Sequence, residues 1–418
     1  MTQPAIWIDA TGSESGRPVF GMTLLERLLR GVVAADVNPT RVEVALPEGA
    51  PEPRLRGDLR GALPLRFERG SAPVGERIRR ANAASGERPL LVLSADCVVD
   101  PRVIAHLAGA PADFAFLEPD APARGAALRL PADAGGPEPE EASVREVAEG
   151  ALARGDLKPF VPGDFDAYVQ KLRRELAPYL FSVDDEASVA RVERFLFWSN
   201  YKGSTDFMTR YVYPPLVWAL VRPLARRRVH PNWITALNWL ACFGAIPFFA
   251  AGEWLPGLAL AYWMSVLDSV DGKLARLTHT SSKIGDVADH GLDIVHPPFW
   301  YLAWGFALGG GVTSSTPYQA AVAMFGLYAA DRIVTAIFRQ RTGTSIHGVT
   351  PLDVRMRSVI SRRNVNLALF TLALAADSLL GTRVWALGAF YLMVAWQGFS
   401  LLWHAQRLVA FFHLRLRP

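Results

Sequence analysis

The stretch Asp268-Ser-Val-Asp271-Gly272-Lys273-Leu-Ala275-Arg276, followed after eight residues by Gly285-Asp286-Val-Ala-Asp289-His-Gly-Leu-Asp293, decides how this chain is read. It lies in otherwise apolar, membrane-length segments, where ionised groups are costly and rarely incidental. Asp268 and Asp271 are spaced i, i+3, and Asp289 and Asp293 i, i+4, so each pair shares one face of a helix. Two such pairs on neighbouring helices bring their carboxylates to one place. Crowded carboxylates repel one another unless a cation neutralises them, and a ligand set of oxygens alone suits Mg²⁺, Mn²⁺ or Ca²⁺. The pattern points to a divalent-metal site for a phosphate-bearing substrate.

Around this stretch the apolar residues gather in the second half of the 418-residue chain. Six segments there have the length to cross a bilayer: 232–252, 254–275, 288–310, 317–338, 363–380 and 384–405. Net charge is only +4, which gives no support to nucleic-acid binding, but the distribution is informative. Arg222, Arg226, Arg227 and Arg228 precede the first span, and Lys273, Arg276 and Lys283 lie between the second and third. Arg339, Arg341, Arg355, Arg357, Arg362 and Arg363 lie between the fourth and fifth, and Arg407, Arg415 and Arg417 follow the sixth. The alternate loops carry only Glu253 and Arg383. The positive-inside rule then puts both termini, and the Asp268–Asp293 hairpin, on the cytoplasmic side of an inner membrane. Trp254, Trp300, Tyr301, Trp385 and Trp403 read as interfacial anchors. The segment 206–228 mixes apolar and basic residues and suits an interfacial helix.

The first half has a different texture. Residues 5–9, 41–46 and 89–95 read as short buried strands, with helix-like stretches at 21–35 and 74–84 between them. That alternation predicts a mostly parallel α/β sheet. Gly135–Glu141 reads as a surface loop, and 142–200 as helical and leading toward the membrane. Met1–Pro4 is polar and the next apolar run is five residues long, so this half is expected to stay cytosolic. The two cysteines, Cys97 and Cys242, fall in different halves and suggest no disulfide framework.

The opening stretch resembles the signature of the CDP-alcohol phosphotransferases: Asp-x-x-Asp-Gly-x-x-Ala-Arg, eight residues, then Gly-x-x-x-Asp-x-x-x-Asp. Every fixed position is matched here. Pro231-Asn232-Trp-Ile-Thr235 is also similar to the opening of that family's first span. The resemblance implies a transferase that moves a substituted phosphate from a CDP-alcohol to an acceptor hydroxyl, with release of CMP. It implies that Asp268, Asp271 and Asp289 bind two divalent ions, Mg²⁺ or Mn²⁺, with Asp293 near them or bridging them as a further metal ligand. Asp293 would be the general base. Thr235, Gly272, Ala275, Arg276 and Gly285 would border the nucleotide, Gly272, Ala275 and Gly285 by their small size and Arg276 as a fork of donors to phosphate. Asp286 matches no signature position and reads as a helix-start residue. Lys273 reads as a charge on the cytoplasmic face. For the acceptor, a polyol phosphate or a lipid, the candidates are Asp206, Arg210, Arg332 and Arg339. An Asp331–Arg332 ion pair and a positive-inside loop over 339–363 account for the last two without a ligand. A homodimer is implied by resemblance only.

The first half looks like a weakened sugar-nucleotide nucleotidyltransferase: a strand, a loop with Gly12 and Gly16, then Arg17-Pro18 and a Leu-rich helix. Active members have a Gly-rich loop with an Arg followed by Lys-Pro, whose amides hold phosphate at a helix start. Here the loop carries Glu14 and lacks the Lys, and Asp96 at a strand end reads equally as a metal ligand or a helix cap. The domain order, and the junction Tyr201-Lys-Gly-Ser-Thr-Asp206-Phe-Met-Thr-Arg210, are similar to fusions of an inositol-phosphate cytidylyltransferase with a CDP-alcohol phosphotransferase. The expected organisation is a nucleotidyltransferase-like α/β domain at 1–198, a juxtamembrane segment at 199–230, and an all-α membrane domain of six helices at 231–418. Two rival readings follow from the same residues. One is a bifunctional enzyme whose first half also makes the CDP-alcohol from CTP. The other is a metal-dependent transporter with carboxylates in its path.

Overall fold

Short apolar runs in the first half form buried strands, and the stretches between them form helices. The computed structural model describes the chain except residues 1–2, 56, 111–112, 118–124, 133–136, 161–164, 170–171, 173, 204, 281–282 and 416–418; at 57, 283–290, 292–293 and 414–415 it describes the backbone alone. The first half runs β1 (Ala5–Asp9), β2 (Pro18–Val19), β3 (Met22–Thr23), α1 (Leu24–Ala34), β4 (Arg41–Leu46), α2 (Gly57–Ala62), β5 (Leu65–Arg69), α3 (Val74–Ala83), β6 (Leu90–Ser94), β7 (Cys97–Val99) and α4 (Pro101–Gly109). It continues through β8 (Phe114–Leu117), β9 (Ala126–Leu130), α5 (Val144–Arg154), β10 (Lys158–Pro159), β11 (Tyr168–Val169), β12 (Arg174–Glu175), β13 (Leu180–Ser182) and α6 (Glu186–Ser199).

The main sheet has seven strands in the order β10-β8-β9-β6-β1-β4-β5. β1, β4, β5 and β6 pair in parallel, and β9 runs against both β6 and β8. Both faces of the central strands are covered, which is why β1 is apolar from Ala5 to Ile8. Ile6 and Ile8 join one core with Leu25, Leu28 and Ile104, whereas Trp7 joins the opposite core with Ile78 and Val147. The expected α/β layer is therefore present. The stretch 142–200 is only partly helical. Gly155, at φ 80°, caps α5 in the left-handed region, and the chain then forms short strands before α6. One of them, β13, pairs with β7 and ties this segment back to the end of the sheet.

The second half is helical: α7 (Pro214–Arg226), α8 (Pro231–Ala250), α9 (Trp254–Leu277), α10 (Lys283–Leu308), α11 (Thr316–Thr342), α12 (Pro351–Val359), α13 (Arg363–Leu380) and α14 (Val384–Arg415). Each of the segments expected to be membrane-length falls largely in one of these helices. Among the described residues, three are long and apolar enough to cross a membrane: Pro231–Ala250, Thr316–Thr342 and Val384–His413. The basic stretch 339–363 is more ordered than a loop. α11 runs on through Arg339 to Thr342, and α12 follows behind a capping box at Thr350 and Asp353.

The two halves share a hydrophobic core. Val19, Phe20, Leu24, Val98, Val192 and Phe197 pack in one cluster with Val217 and Val221 of α7 and with Val266, Leu267, Val270, Leu274 and Leu277 of α9. The contact is close enough to require glycine at one point. Gly21 has φ 71°, and a Cβ there would lie 2.4 Å from the carbonyl oxygen of Ala225. Beside it, Glu193 of α6 accepts from the Phe20 amide at 3.1 Å and pairs with Arg222 at 2.8 Å and Arg226 at 3.3 Å.

Candidate active site

α8 begins at Pro231, whose missing amide suits a first helical turn. One turn on, the Thr235 hydroxyl lies 3.3 Å from the Pro231 carbonyl oxygen and donates to Asp271 Oδ2 on α9 at 2.9 Å. Asp271 Oδ1 accepts from the Gly272 amide at 2.6 Å. Thr235 and Asp271 are both buried, at 7% and 2% exposure, so this carboxylate is held by fixed donors rather than by solvent. Three residues earlier on α9, Asp268 accepts from Arg363 Nη2 at 2.9 Å. Arg363 opens α13, and its Nε donates to Asn364 at 3.2 Å.

Asn364 in turn donates to both carboxylate oxygens of Asp206 at 3.2 Å. Asp206 also accepts from the amide and hydroxyl of Thr209, at 3.0 and 2.9 Å. A polar chain therefore runs from Asp268 through Arg363 and Asn364 to the juxtamembrane turn. From sequence Asp206 is an acceptor candidate, whereas Arg363 reads only as a loop charge and Asn364 carries no signal. Their partners lie 95 and 158 residues away, beyond the reach of any local pattern.

Gly272 matters for space. A Cβ there would come within 3.2 Å of Arg276 Nη1, so the guanidinium lies along the bare backbone of α9 one turn back. Ala275 is partly buried between them in sequence. Lys273 does not face solvent. It is buried, its Nζ donates to the Phe197 carbonyl at 2.9 Å, and it sits over the Tyr201 ring at 3.1 Å. A cation at the cytoplasmic face was expected; instead this lysine fixes α9 to the end of α6.

Gly285, Asp289 and Asp293 lie on α10, where Asp289 and Asp293 share a face by their i, i+4 spacing. Their side chains, and that of Asp286, lie outside the described residues. α10 packs against α8, with Trp300 Nε1 donating to the Cys242 carbonyl at 3.0 Å.

Of the acceptor candidates, Asp206 and Arg210 share one turn, the Arg210 amide donating to the Asp206 carbonyl at 3.0 Å. Arg210 is exposed beside the Tyr211 ring, and Arg339 is exposed near the end of α11. Arg332 donates to its neighbour Asp331 at 2.6 Å, and Asp331, fully buried, also meets His404 Nδ1 at 2.5 Å. The ion pair with Asp331 accounts for the contact observed at Arg332.

In the first half, the Gly12–Pro18 loop is closed on itself. Glu14 pairs with Arg17, and Arg17 also donates to the Asp184 carbonyl at 3.2 Å. Asp96 sits in the turn between β6 and β7, with its Oδ2 4.0 Å from where a Cβ on Gly12 would be. The helix cap of α4 is Asp100 rather than Asp96.

The region that holds the α8, α9 and α10 positions is similar to a known family. The CDP-alcohol phosphatidyltransferase model matches residues 228–397. The match begins just ahead of α8, ends within α14, and contains the whole of the stretch from Asp268 to Asp293. Among curated relatives, a bifunctional IPC transferase and DIPP synthase of Thermococcus kodakarensis is 30% identical, over 32% of this chain and 34% of that protein. A protein of the same name from Archaeoglobus fulgidus is 29% identical, over 40% of this chain and 32% of its own length. An uncharacterized CDP-alcohol phosphatidyltransferase class-I family protein of Schizosaccharomyces pombe is 29% identical over 24% of this chain. The chain spans about a third of the length of these relatives. Among solved structures, a Bacillus anthracis protein assigned as a glucose-1-phosphate thymidylyltransferase covers 46% of this chain at 10% identity with a TM-score of 0.28, too low to carry an argument.

Proposed function

We propose that this chain is an integral-membrane transferase that moves a substituted phosphate from a CDP-alcohol to an acceptor hydroxyl and releases CMP. The observation that carries the reading is the family match falling on α9, where Asp268 and Asp271 are each tied to a different helix, by Arg363 and Thr235. Both present hard oxygen donors, the chemistry that Mg²⁺ and Mn²⁺ require, so the residues fit the divalent ions the family implies. Asp268, Asp271 and Asp289 would hold them, with Asp293 adjacent. Ions bound there supply charge neutralisation for the diphosphate and for the departing CMP.

The chain's own residues do the rest. Arg276 forks onto phosphate oxygens beside Gly272, whose bare backbone admits the nucleotide, as do Ala275, Gly285 and Thr235 in the same lining. Asp293 takes the proton from the acceptor hydroxyl. The resulting oxygen attacks the β-phosphorus, and the bond from that phosphorus to the CMP oxygen breaks. The donor is CDP-diacylglycerol or a CDP-polyol, and the acceptor is a polyol phosphate or a lipid. Asp206, Arg210, Arg332 and Arg339 remain the acceptor candidates. We take residues 1–198 as the soluble domain, 199–230 as the juxtamembrane segment and 231–418 as a six-span domain with its site and both termini cytoplasmic, in a homodimer.

Asp293→Asn tests the base. CMP release from a CDP-alcohol should fall on the order of 10²–10⁴-fold, while binding of the CDP-alcohol is retained. Near-normal CMP release by this variant would remove Asp293 from the role.

The bifunctional IPC transferase and DIPP synthase relatives favour a second activity, in which the first half makes the CDP-alcohol. The closed Glu14–Arg17 loop speaks against it. CTP-dependent pyrophosphate release by the full chain is expected to be absent, and its detection would establish the bifunctional reading.

A further inference from the structure

A cavity of about 130 Å³ lies where the α/β half meets the end of α9. Its walls include Arg27 of α1, Tyr179, Asn200, Arg276 and His279. Among the described residues, no carboxylate lines it. Its volume is several times what one water needs.

Arg27 is 5% exposed. Its Nη2 donates to two backbone carbonyls, Val19 at 3.1 Å and Leu277 at 2.9 Å, and its buried Nε has no partner. The nearest carboxylates, Glu26 and Glu193, act on Arg27 through charge without hydrogen-bonding it, and pair with other arginines. Glu26 pairs with Arg30 at 3.2 Å, Asp100 with Arg102 at 2.6 Å, and Glu193 with Arg222 and Arg226. Among the described residues, Arg27 has no carboxylate hydrogen-bond partner. Burial accordingly brings its guanidinium down to about 10. A buried charge needs a counter-charge or strong hydrogen bonds, and a guanidinium fork matches a tetrahedral oxyanion. His279, at φ 49°, is held against the same cavity.

We propose that this cavity is an oxyanion site built by both halves of the chain, taking inorganic phosphate or the phosphoryl group of a phosphorylated alcohol. Arg27 supplies the buried cation, and Asn200 and His279 supply hydrogen bonds. Arg276, which lies on the helix that carries the signature carboxylates, also lines the cavity. Because Arg27 also holds the last carbonyl of α9, an anion on its free edge is sensed at the end of that helix.

The test reads binding, not turnover. Inorganic phosphate, and separately glycerol 3-phosphate, are titrated calorimetrically into the full-length protein in detergent, without divalent ions. Saturable binding to one site is expected, and the tighter of the two probes identifies the source of the anion. Arg27→Met should weaken it about tenfold or more. Asp271→Asn, outside the cavity, should change it by less than about twofold. If Arg27→Met does not fold, Asn200→Asp decides: a carboxylate on the wall should abolish binding. Absence of binding to the wild type, undiminished binding in the deciding variant, or loss in Asp271→Asn would overturn the proposal.

Discussion

At the scale of single residues, the chemistry rests on side chains that are held rather than merely present. Asp271 accepts from the Thr235 hydroxyl, and that hydroxyl is replaceable without changing shape. Thr235→Val removes a hydrogen bond to a charged acceptor, a loss of about 1.5–3 kcal/mol, and should lower kcat/KM for CMP release roughly tenfold or more while the protein remains folded. Unchanged kcat/KM would show that this tether does not position the carboxylate. The signature itself was legible in the sequence, because charge at i, i+3 and i, i+4 in apolar helices is conspicuous. Arg363, Asn364 and Arg27 were not. Each acts across a long sequence separation, and in one dimension each is an ordinary basic or polar residue at the edge of a helix.

Individual elements were read well where one periodicity governed them, and less well where capping decided. β1 and β4 stand where their apolar runs predicted. The failures are the stretch after Gly155, ended as helix by a left-handed cap, and α12, nucleated by its capping box inside what read as a loop. Close approach of helices is a further property invisible to pattern. A Cβ on Gly305 of α10 would lie 2.5 Å from that of Ala321 on α11 and 2.7 Å from the Pro317 carbonyl oxygen. Gly305→Ala should therefore force the two helices apart and lower the thermal midpoint in detergent; an unchanged midpoint would show that they separate at no cost.

The end of α9 makes a prediction of its own. Burial, with the charges of Arg27 and Arg30 nearby, pushes the His279 imidazole down to about 3. In the unfolded chain a histidine takes up its proton near pH 6.5. Between those values the unfolded state binds a proton that the folded state refuses, so stability falls as pH falls. His347 is shifted in the same direction, chiefly by burial. The thermal midpoint in phosphate-free buffer should be lower at about pH 5 than at about pH 7.5. His279→Asn, which tolerates the left-handed backbone, should reduce that difference. A variant with the full wild-type pH dependence would contradict this account.

For the whole molecule, the fused core is the finding that composition could not supply. A soluble α/β layer and a bundle of apolar helices looked like two bodies joined by a linker. In the structure they share one cluster, and two hydrogen bonds, from Arg27 to Leu277 and from Lys273 to Phe197, grip the helix that carries the signature. The α/β half therefore contributes a surface against which that helix is set. A chain cut to residues 200–418 exposes Val266, Val270 and Leu274 to water and should lose CMP release or aggregate; full activity in the truncated protein would make the α/β half dispensable.

The most direct trial of the account is CMP release by the purified full-length protein, given a CDP-alcohol and a hydroxyl acceptor. CMP should form with Mg²⁺ or Mn²⁺, stop when a chelator removes them, resume on their return, and be lost in Asp271→Asn. CMP formation that survives both chelation and that substitution, or none with any CDP-alcohol from folded protein, would contradict it.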